Sequence, residues 1–374
     1  MTDYPEAFLQ SVIRQFRTEG IFQRVKRFGN GHINDTFLVT CADSNRQYIL
    51  QRINGHVFSH PEQVMANMAA VTAYLKEAVR QSGGNPEREV LTLIPAHNGN
   101  LFYQDHHCGF WRMTLFLEQA YCLEAAASPT EFRQSGFAFG SFQKQLAAFP
   151  ADTLYETIPC FHDTPKRLSD FQKAVSEDTC GRVKTVAEEI EFILERAPFT
   201  TILAHAYAEG DIPLRVTHND TKLNNIMFDS NTRKPLCILD LDTVMPGFSA
   251  TDFGDAIRFG ANIADEDERD LSIVHFDLSM YQAFAEGFLA GCGDILTRKE
   301  ISLLPSSAKL ITLENSMRFL ADYLEGDHYY HTSRPGQNLD RCRTHLKLVW
   351  EMEQQWKQMN DIIAEIRKNK GEKK

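Results

Sequence analysis

The sequence changes character after about one third of its length, from short segments of strand type to long helical patterns. Before residue 129, Asp35–Cys41 and Gln47–Ile53 are rich in β-branched and aromatic residues, with turn-forming residues around them. Between residues 61 and 79, apolar residues fall on one face of a helix that begins at Pro61. Beyond residue 129, apolar residues recur every three or four positions, as in helices that bury one face. This pattern predicts an α+β protein with two lobes.

Other strands are predicted at Arg24–Phe28, Glu89–Pro95, Leu101–Gln104 and Phe110–Leu117, and a long C-terminal helix is predicted from about Leu339 to Trp356. The β-rich N-terminal lobe is expected to span residues 1–117, and the mostly helical C-terminal lobe residues 118–374. The hinge between them is placed near Phe116–Gln119.

Charge and composition exclude several classes of protein. The formal net charge is −11, so most of the surface would repel a nucleic acid. Met1–Gly20 lacks the apolar core of a signal peptide, and no apolar run approaches the length that spans a bilayer. The eight cysteines are scattered and form no CxxC pair, which indicates reduced thiols rather than a disulfide framework or a zinc site. We therefore expect a cytoplasmic protein with no membrane or nucleic-acid partner.

The most specific motif is H-x-D-x-x-x-x-N, which runs from His218 to Asn225. Phosphoryl transfer needs a carboxylate that orients the attacking hydroxyl and accepts its proton, and it needs oxygen ligands for a metal ion. Asp220 and Asn225 fit these two roles, and His218 is expected to support the loop by hydrogen bonding. Asn and Asp are also common in turns, so the motif alone is moderately specific.

An apolar strand that ends in carboxylates follows at Cys237–Asp242. The polar turn Asp229–Lys234 predicts a hairpin that brings Asn225 and Asp240 together at its open end. Mg²⁺ prefers carboxylate and amide oxygens alongside phosphate oxygens. We expect Asp240 to bind the metal and Asp242 to be a second ligand or a supporting group. The alternative is an exposed strand end with solvated acids.

The segment Gly29–Thr36 lies between two predicted strands and contains two glycines. Glycine lets the backbone approach a phosphate closely and present its N–H groups to it. A simple hairpin turn also explains such a pair. No G-K-[ST] follows, so the segment is not a Walker A loop, and it does not open a helix as a dinucleotide-binding motif does. The segment forms the first turn of the β-rich lobe, and this position favours a role in covering a nucleotide.

Taken in order, the glycine segment, the hinge, the H-x-D-x-x-x-x-N motif and the I-x-D strand end resemble the aminoglycoside phosphotransferase and choline kinase superfamily, relatives of the protein kinases. The resemblance covers most of the chain and implies a bilobal, protein-kinase-like fold. Within the superfamily the sequence is most similar to N-acetylhexosamine 1-kinases, in Gly29–Thr36, His218–Met227, Ile238–Asn262 and Glu314–Tyr330. Those enzymes transfer phosphate from ATP to the anomeric hydroxyl of GlcNAc or GalNAc.

The resemblance also implies roles for individual residues. Asp220 would be the catalytic base and would also contact the sugar, and Asn225 and Asp240 would hold Mg²⁺. Arg318 and Tyr329 would line the sugar site. ATP would lie between the glycine segment and the hinge. The residues assigned to its binding are Gly29, Asn30, Gly31, His32, Asn34, Thr36, Arg52, Phe116 and Glu118, and those assigned to support are His218 and Asp242.

One departure from the protein-kinase pattern concerns the residue that anchors the α and β phosphates. Protein kinases use a strand Lys for this purpose, but Gln47–Ile53 contains none. Arg52 is the nearest cation, although Gln51 lies on the other side of the strand and is the alternative inward residue. An Arg fork binds phosphates with a geometry different from that of a Lys point charge.

Two other functions stay open at this level. A kinase of the same fold for choline, ethanolamine, homoserine or an aminoglycoside would need an acidic pocket, which the net charge permits and Arg318 in the pocket disfavours. A non-catalytic pseudokinase is disfavoured by the intact set of Asp220, Asn225 and Asp240. The preferred acceptor, the donor nucleotide, protein partners and the oligomeric state are not determined by the sequence.

Overall fold

The computed structural model describes residues 4–29, 33–44 and 46–371. Asn30, Gly31 and His32 of the glycine segment lie outside the described residues. The elements in chain order are α1 (Glu6–Ile13), β1 (Ile21–Arg27), β2 (Asp35–Ala42), β3 (Gln47–Ile53), α2 (Pro61–Gln81), α3 (Pro86–Glu89), β4 (Tyr103–Gln104), β5 (Phe110–Leu115), β6 (Ala120–Tyr121), α4 (Pro129–Gln145), α5 (Thr164–Glu177), α6 (Ala187–Glu195), α7 (Ile202–Ala208), β7 (Arg215–Thr217), β8 (Ile226–Asp229), β9 (Pro235–Ile238), β10 (Met245–Gly247), α8 (Ser249–Gly260), α9 (Leu278–Cys292), α10 (Arg298–Glu325), α11 (Gln337–Gln354) and α12 (Trp356–Gly371).

The chain folds into two compact units. The first, here called the sheet unit, comprises the described residues as far as Tyr121 together with Asp152–Pro159 and Met227–Met245. The second, the helical unit, comprises Cys122–Ala151, Cys160–Ile226 and the chain from Pro246 onward. A strand-rich N-terminal part and a helical C-terminal part are therefore present, as the sequence predicts. The division into residues 1–117 and 118–374 stays a prediction.

The main sheet has the strand order β1-β2-β3-β5-β4, and its neighbouring strands are antiparallel. One face is apolar because alternate residues of each strand point to it. Its buried residues, which pack against α1, include Phe37, Val39, Tyr48, Leu50, Trp111 and Met113. The opposite face carries a polar row, since Thr36 pairs with Gln51 and Gln51 with Arg112 in the strand register.

A smaller sheet of order β6-β8-β9 contains the hairpin predicted from the polar turn. The N–H of Asp229 donates to the carbonyl of Lys234 at 2.9 Å, and Arg233 has a left-handed backbone with φ of 57°. The hairpin prediction is therefore confirmed. That Asn225 and Asp240 meet at its open end stays a prediction.

The helical unit is built around α10, which is buried over most of its length. The helix starts at a capping box, in which Thr297 and Glu300 satisfy each other's backbone N–H groups. Helices α4 and α9 pack through glycines on both sides. A Cβ atom at Gly140 would lie 2.3 Å from the carbonyl oxygen of Phe288, and one at Gly287 would lie 1.9 Å from that of Arg133. The two backbones are in contact where side chains would ordinarily separate them.

Two expectations about secondary structure were wrong, and a third was correct except for the end of its helix. The strand predicted at Glu89–Pro95 is absent, because Asn85 caps the short helix α3, which ends at Glu89, and only an isolated bridge at Leu93 follows. The acidic run Asp265–Asp270 has the charge pattern of a solvated helix start, but it does not start a helix. Its carboxylates accept nearby backbone N–H groups and form turns. The predicted C-terminal helix ends at Gln354 and a second one follows. In the part of the chain that the structure describes, no helix is both long and apolar enough to cross a membrane.

Candidate active site

The loop that carries the H-x-D-x-x-x-x-N motif follows β7 and is held by two carboxylates of α8. The N–H groups of His218 and Asn219 donate to the two oxygens of Asp252, at 2.9 and 2.8 Å. The N–H of Thr221 donates to Asp255 at 2.8 Å. The loop is thus bound to α8 on both sides of Asp220, through the N–H groups of His218 and Asn219 before it and that of Thr221 after it. Asp252 of the Asp252-Phe253-Gly254 sequence therefore supports the loop.

The two carboxylates of α8 have opposite pKa shifts. Burial raises the pKa of Asp252, and its hydrogen bonds only partly offset that effect. Burial also raises the pKa of Asp255, but the charges of Arg258, His162 and Lys222 together lower it to about 2. Arg258 donates to Asp255 at 2.9 and 3.1 Å and so holds this carboxylate in place.

His218 lies in the interior beneath the loop. Its ring is packed edge-on against Phe139 and Phe142, with ring centres 5.5 and 6.0 Å away. The N–H of Asp220 faces Nδ1 of His218 at 3.3 Å. Asn219, between them, has a left-handed backbone with φ of 64°. The imidazole therefore contacts the loop from inside and is fully buried, a position suited to support.

Asp220 is oriented by two neighbours in the same loop. The side-chain amide of Asn225 donates to the carbonyl of Asp220 at 2.9 Å and to its Oδ2 at 3.1 Å. Nζ of Lys222 lies 2.8 Å from Oδ1 of Asp220, and the charge of Asp220 raises the pKa of Lys222 above its ordinary value. The Asp220 side chain keeps 23% of its surface exposed, so an incoming hydroxyl can reach it. Lys222 occupies one of the unspecified positions of the H-x-D-x-x-x-x-N motif, so no role was assigned to it from the sequence.

The turn that follows β9 in the sheet unit is organised by a buried ion pair. Asp242 contacts Arg112 through both carboxylate oxygens, and both side chains are at most 3% exposed. Asn34 donates to the same carboxylate at 2.7 Å, and Thr157 donates to the carbonyl of Asp242 at 2.9 Å. Asp242 is thus committed to structural partners. Asp240, two residues earlier, has a left-handed backbone with φ of 51° and opens a short 3₁₀ turn.

Arg112 extends the polar row of the main sheet to Asp242. Its Nε donates to Gln51 at 2.9 Å, and Gln51 donates to Thr36 at 3.1 Å. Burial alone would lower the pKa of Arg112, but Asp242 and also Asp240 raise it above its ordinary value. Arg52 lies on the other face of the sheet, with its guanidinium carbon 5.9 Å from the ring centre of Tyr4. The phosphate-binding role assigned to Arg52 stays a prediction.

The structure describes part of the predicted nucleotide site. Gly29 has φ of 74°, a conformation that favours glycine, and nothing in the described chain would meet a Cβ there. The ring of Phe28, just before it, is perpendicular to that of Phe116 with centres 5.7 Å apart. The carbonyl of Glu118 accepts from Arg88 at 3.2 Å. The glycine segment and the hinge are thus joined by an aromatic pair within one unit.

Arg318 and Tyr329 lie in the helical unit at a cavity of about 240 Å³. The guanidinium carbon of Arg318 is 5.1 Å from the ring centre of Phe161, 5.7 Å from that of Tyr330 and 6.0 Å from that of Tyr329. Within the described ranges it has no hydrogen-bond or ion-pair partner. The hydroxyl of Tyr330 is buried with no partner in the same ranges, and burial raises its pKa to about 12.

Arg318 does not pair with Asp322, the residue one turn further along α10. Asp322 instead accepts the N–H groups of His328, Tyr329 and Tyr330, at 2.8 to 3.0 Å. A spacing of four residues on a helix ordinarily allows such an ion pair, but the two side chains have other surroundings here. Asp322 shapes the turn that follows α10, and Arg318 is left among aromatic rings.

The donor set available for a metal consists of oxygens. No group of three or more His, Cys, Asp or Glu side chains suited to a metal occurs in residues 4–29, 33–44 and 46–371. The amide nitrogen of Asn225 is used by Asp220, and its amide oxygen makes no hydrogen bond to any residue that the structure describes. An amide oxygen and a carboxylate fit Mg²⁺ if phosphate oxygens complete its coordination. That Asn225 and Asp240 together hold Mg²⁺ stays a prediction.

Comparisons with known proteins agree on the family. The model of the phosphotransferase enzyme family matches residues 24–286. A microcompartment-associated aminopropanol kinase superimposes with a TM-score of 0.62 at 17% identity, over 95% of this chain and 98% of that one. A spectinomycin phosphotransferase solved with ADP and spectinomycin gives 0.59 at 12% identity, over 94% and 100%.

A choline kinase from Cryptosporidium parvum gives a TM-score of 0.53 at 14% identity, over 89% of each chain. At such identities the likeness shows the fold. The bilobal, protein-kinase-like fold predicted from the sequence is therefore confirmed.

Proposed function

Because the chain belongs to the phosphotransferase enzyme family, within the aminoglycoside phosphotransferase and choline kinase superfamily, we propose that it transfers the γ-phosphate of ATP to the anomeric hydroxyl of an N-acetylhexosamine, GlcNAc or GalNAc. The structure of the loop around Asp220 is the observation that best supports phosphotransferase chemistry. The backbone of this loop is bound to α8, and the Asp220 carboxylate stays accessible. Resemblance to the N-acetylhexosamine 1-kinases supports the finer assignment of the acceptor.

Asp220 would orient the acceptor hydroxyl and take its proton. The hydroxyl oxygen bonds to the γ-phosphorus as the bond from that phosphorus to the bridging oxygen breaks, and ADP leaves. Phosphoryl transfer depends mainly on positioning and electrostatics, so a fixed carboxylate is the principal contribution of this loop. Lys222, bound to Asp220, keeps the carboxylate in its orientation.

Asn225 and Asp240 would hold Mg²⁺ with their side-chain oxygens. The bound ion would neutralise charge on the phosphates of ATP. Asp242 supports the turn after Asp240 through Arg112 and Asn34. Since two protein ligands leave most of the coordination of Mg²⁺ to other oxygens, we expect tight metal binding to require the nucleotide.

ATP would bind at the glycine segment and the hinge, near Gly29, Asn34, Thr36, Phe116 and Glu118. Family membership and the ADP found with the spectinomycin phosphotransferase support a nucleotide donor.

Arg318 and Tyr329 would contact the sugar. A cation with no partner in the described chain, surrounded by three rings, suits a polar ligand with apolar faces. The Arg318→Ala variant should raise the KM for the sugar much more than the KM for ATP, and equal effects would indicate a structural role.

A second candidate, an amino alcohol as acceptor, is favoured by a different cavity in the helical unit. Its volume is about 610 Å³, and it begins at Leu223 in the catalytic loop. The carboxylates that line it are Glu124, Asp265, Glu266 and Asp277. Arg258 also lines it and pairs with Glu266, so Glu124, Asp265 and Asp277 are the carboxylates that would attract a cationic acceptor.

The test is ADP release with MgATP and a panel of acceptors: GlcNAc, GalNAc, glucose, galactose, choline, ethanolamine, homoserine and kanamycin. Phosphorus NMR would identify the product. We expect turnover on the N-acetylhexosamines, with phosphorus coupled to the anomeric proton. Turnover on an amine alone would replace the sugar assignment by the second candidate.

The variant that tests the base is Asp220→Asn, because it keeps the shape of the side chain and the hydrogen bond from Asn225 to the carbonyl of residue 220. Loss of the base should lower kcat by about 10²- to 10⁴-fold while ATP affinity by calorimetry stays the same. Unchanged kcat would end the assignment of Asp220.

A further inference from the structure

His162 connects the loop that carries Asp220 to a carboxylate in the middle of α10. Nδ1 of His162 lies 2.7 Å from Oε1 of Glu314, and its Nε2 lies 3.2 Å from the carbonyl oxygen of Asn219. The His162 side chain is 8% exposed and that of Glu314 is 0% exposed. The hydroxyl of Thr164 donates to the second oxygen of Glu314 at 2.5 Å. Both ring nitrogens therefore face oxygens inside the protein.

The two partners of His162 decide which protonation state fits. A carbonyl oxygen accepts hydrogen bonds only, and so does an ionised carboxylate. Neutral imidazole has one N–H and one lone pair, so it would direct a lone pair at one of these oxygens. The imidazolium has two N–H groups and satisfies both. A buried donor or acceptor left unsatisfied is costly, which favours the charged form here.

We propose that His162 is an imidazolium that positions the catalytic loop, by donating from Nε2 to the carbonyl of Asn219 while Glu314 holds its Nδ1–H. Asn219 immediately precedes Asp220, and its carbonyl belongs to the peptide between them. The N–H of Asn219 is already bound to Asp252. With both sides of Asn219 bound, its left-handed conformation is fixed, and so is the direction in which Asp220 leaves the backbone.

The charges around His162 agree with this state. On α10, Glu314 raises the pKa of His162 and Arg318 lowers it, and on α8 Asp255 raises it. Burial is the largest effect and lowers the pKa, yet the net shift is upward. The pKa of Glu314 is raised by burial but lowered overall by His162, Arg318 and Thr164. The pair is thus ionised together, and we expect loop support to weaken as pH rises through the pKa of His162.

The first test is NMR of the full chain labelled with ¹⁵N-histidine, from pH 6 to pH 9. The signals of His162 are identified by their absence from the His162→Gln variant or by their displacement in Glu314→Gln. We expect two protonated ring nitrogens at pH 7.5. His345 is the internal reference for a neutral buried ring, because burial and Arg258 lower its pKa to about 4.

An Nδ1 of His162 without a proton at pH 7.5 would overturn the proposal. That result would mean that the proton resides on Glu314 and that the pair is neutral. The readout does not require turnover.

The second test is the pH dependence of kcat, with the acceptor identified above. Glu314→Gln removes the carboxylate charge but keeps the shape, so it should move the alkaline limb of kcat to lower pH by about one unit or more. His162→Gln keeps one donor and cannot be charged, so kcat should fall about tenfold and this limb should disappear. The KM for ATP should stay within twofold of the parent in both variants. His205→Gln, on the exposed side of α7, is the matched control.

The activity test rests on the proposed function. Failure of the proposed function can be distinguished from failure of the positioning role of His162. If the parent protein shows no turnover, the assignment of the acceptor is wrong. The NMR result on His162 does not depend on the acceptor. An alkaline limb that is unchanged in Glu314→Gln would refute the positioning role even if the ring is charged.

Discussion

Two buried Arg–Asp pairs, one in each unit, lie beside the residues assigned to chemistry, and they are assembled in different ways. In the helical unit, Arg258 and Asp255 are three residues apart on α8, and Asp255 also accepts the N–H of Thr221. In the sheet unit, Arg112 on β5 binds Asp242, which lies 130 residues later in the chain.

The difference shows how each functional segment depends on the fold. The helical pair can form wherever α8 forms, and the loop of Asp220 docks on it. The sheet pair exists only when β5, Asn34, Thr157 and the turn after β9 have come together. We therefore expect the turn that carries Asp240 to be sensitive to substitutions far away in sequence. The Asp220 loop should be sensitive to α8 and, beyond it, to the pair of His162 and Glu314.

The largest expected effect is that of Arg112→Met. It leaves Asp242 buried without its cation, which should lower the free energy of unfolding by about 3–5 kcal/mol in urea titrations. The double variant Arg112→Met with Asp242→Leu removes both charges and should recover much of that loss. A loss below about 1 kcal/mol in the single variant would show that the sheet pair is no more than a surface contact.

Asp252→Asn tests the helical side of the comparison. One carboxylate oxygen becomes an NH₂ group, so one of the two N–H groups of His218 and Asn219 loses its acceptor. The expected cost is about 1–3 kcal/mol in chemical unfolding, together with a lower kcat. If stability falls while kcat is unchanged, the docking of the loop on α8 is not what orients Asp220.

Acid unfolding should separate Asp255 from the other carboxylates. Its pKa falls from 3.8 to about 2 in the folded protein, so the stability that it contributes is complete above about pH 4 and is lost as pH falls toward 2. The expected contribution is about 2 kcal/mol. Asp255→Asn should therefore lose less stability than the parent between pH 4 and pH 2, by tryptophan fluorescence. Parallel losses would contradict the assignment.

The smallest effect is expected for Arg88→Ala in the sheet unit. Arg88 binds Asp229 at 2.9 Å, but it is 33% exposed, so the pair should contribute less than about 1 kcal/mol. The contact of Arg88 with the carbonyl of Glu118 makes the KM for ATP the more informative measurement. A larger loss of stability than in Asp252→Asn would mean that exposure is a poor guide in this unit.

Local patterns allowed much of the fold to be predicted. Strands β2 and β3, helix α2 and the hairpin of β8 and β9 each depend on residues close in sequence. The pairing of Arg258 with Asp255 can be predicted for the same reason, because the two residues are three positions apart. The strand predicted at Glu89–Pro95 is absent because this segment pairs with β5 only at the single bridge between Leu93 and Thr114.

Contacts between distant residues could not be predicted. Nothing near Arg112 marks Asp242 as its partner, and nothing near His162 marks Glu314, 152 residues away. Both pairs consist of residue types that are usually solvated, so their burial depends on tertiary packing. Asp322 shows the same limit, because its spacing to Arg318 indicated a helix pair whereas the following turn takes its carboxylate.

The glycine contact between α4 and α9 has a consequence for mutational tolerance. On one face of α4, Gly136 and Gly140 meet the backbone of α9, and beside them Phe139 packs against His218 and Gln143 donates to Asp252. A methyl group at Gly140 would push α4 away from α9 and so shift Phe139 and Gln143 against the loop that carries Asp220. A saturation scan in which growth depends on the reaction product should therefore find Gly140 nearly as intolerant as Asp220, although Gly140 itself is assigned no role in binding or catalysis.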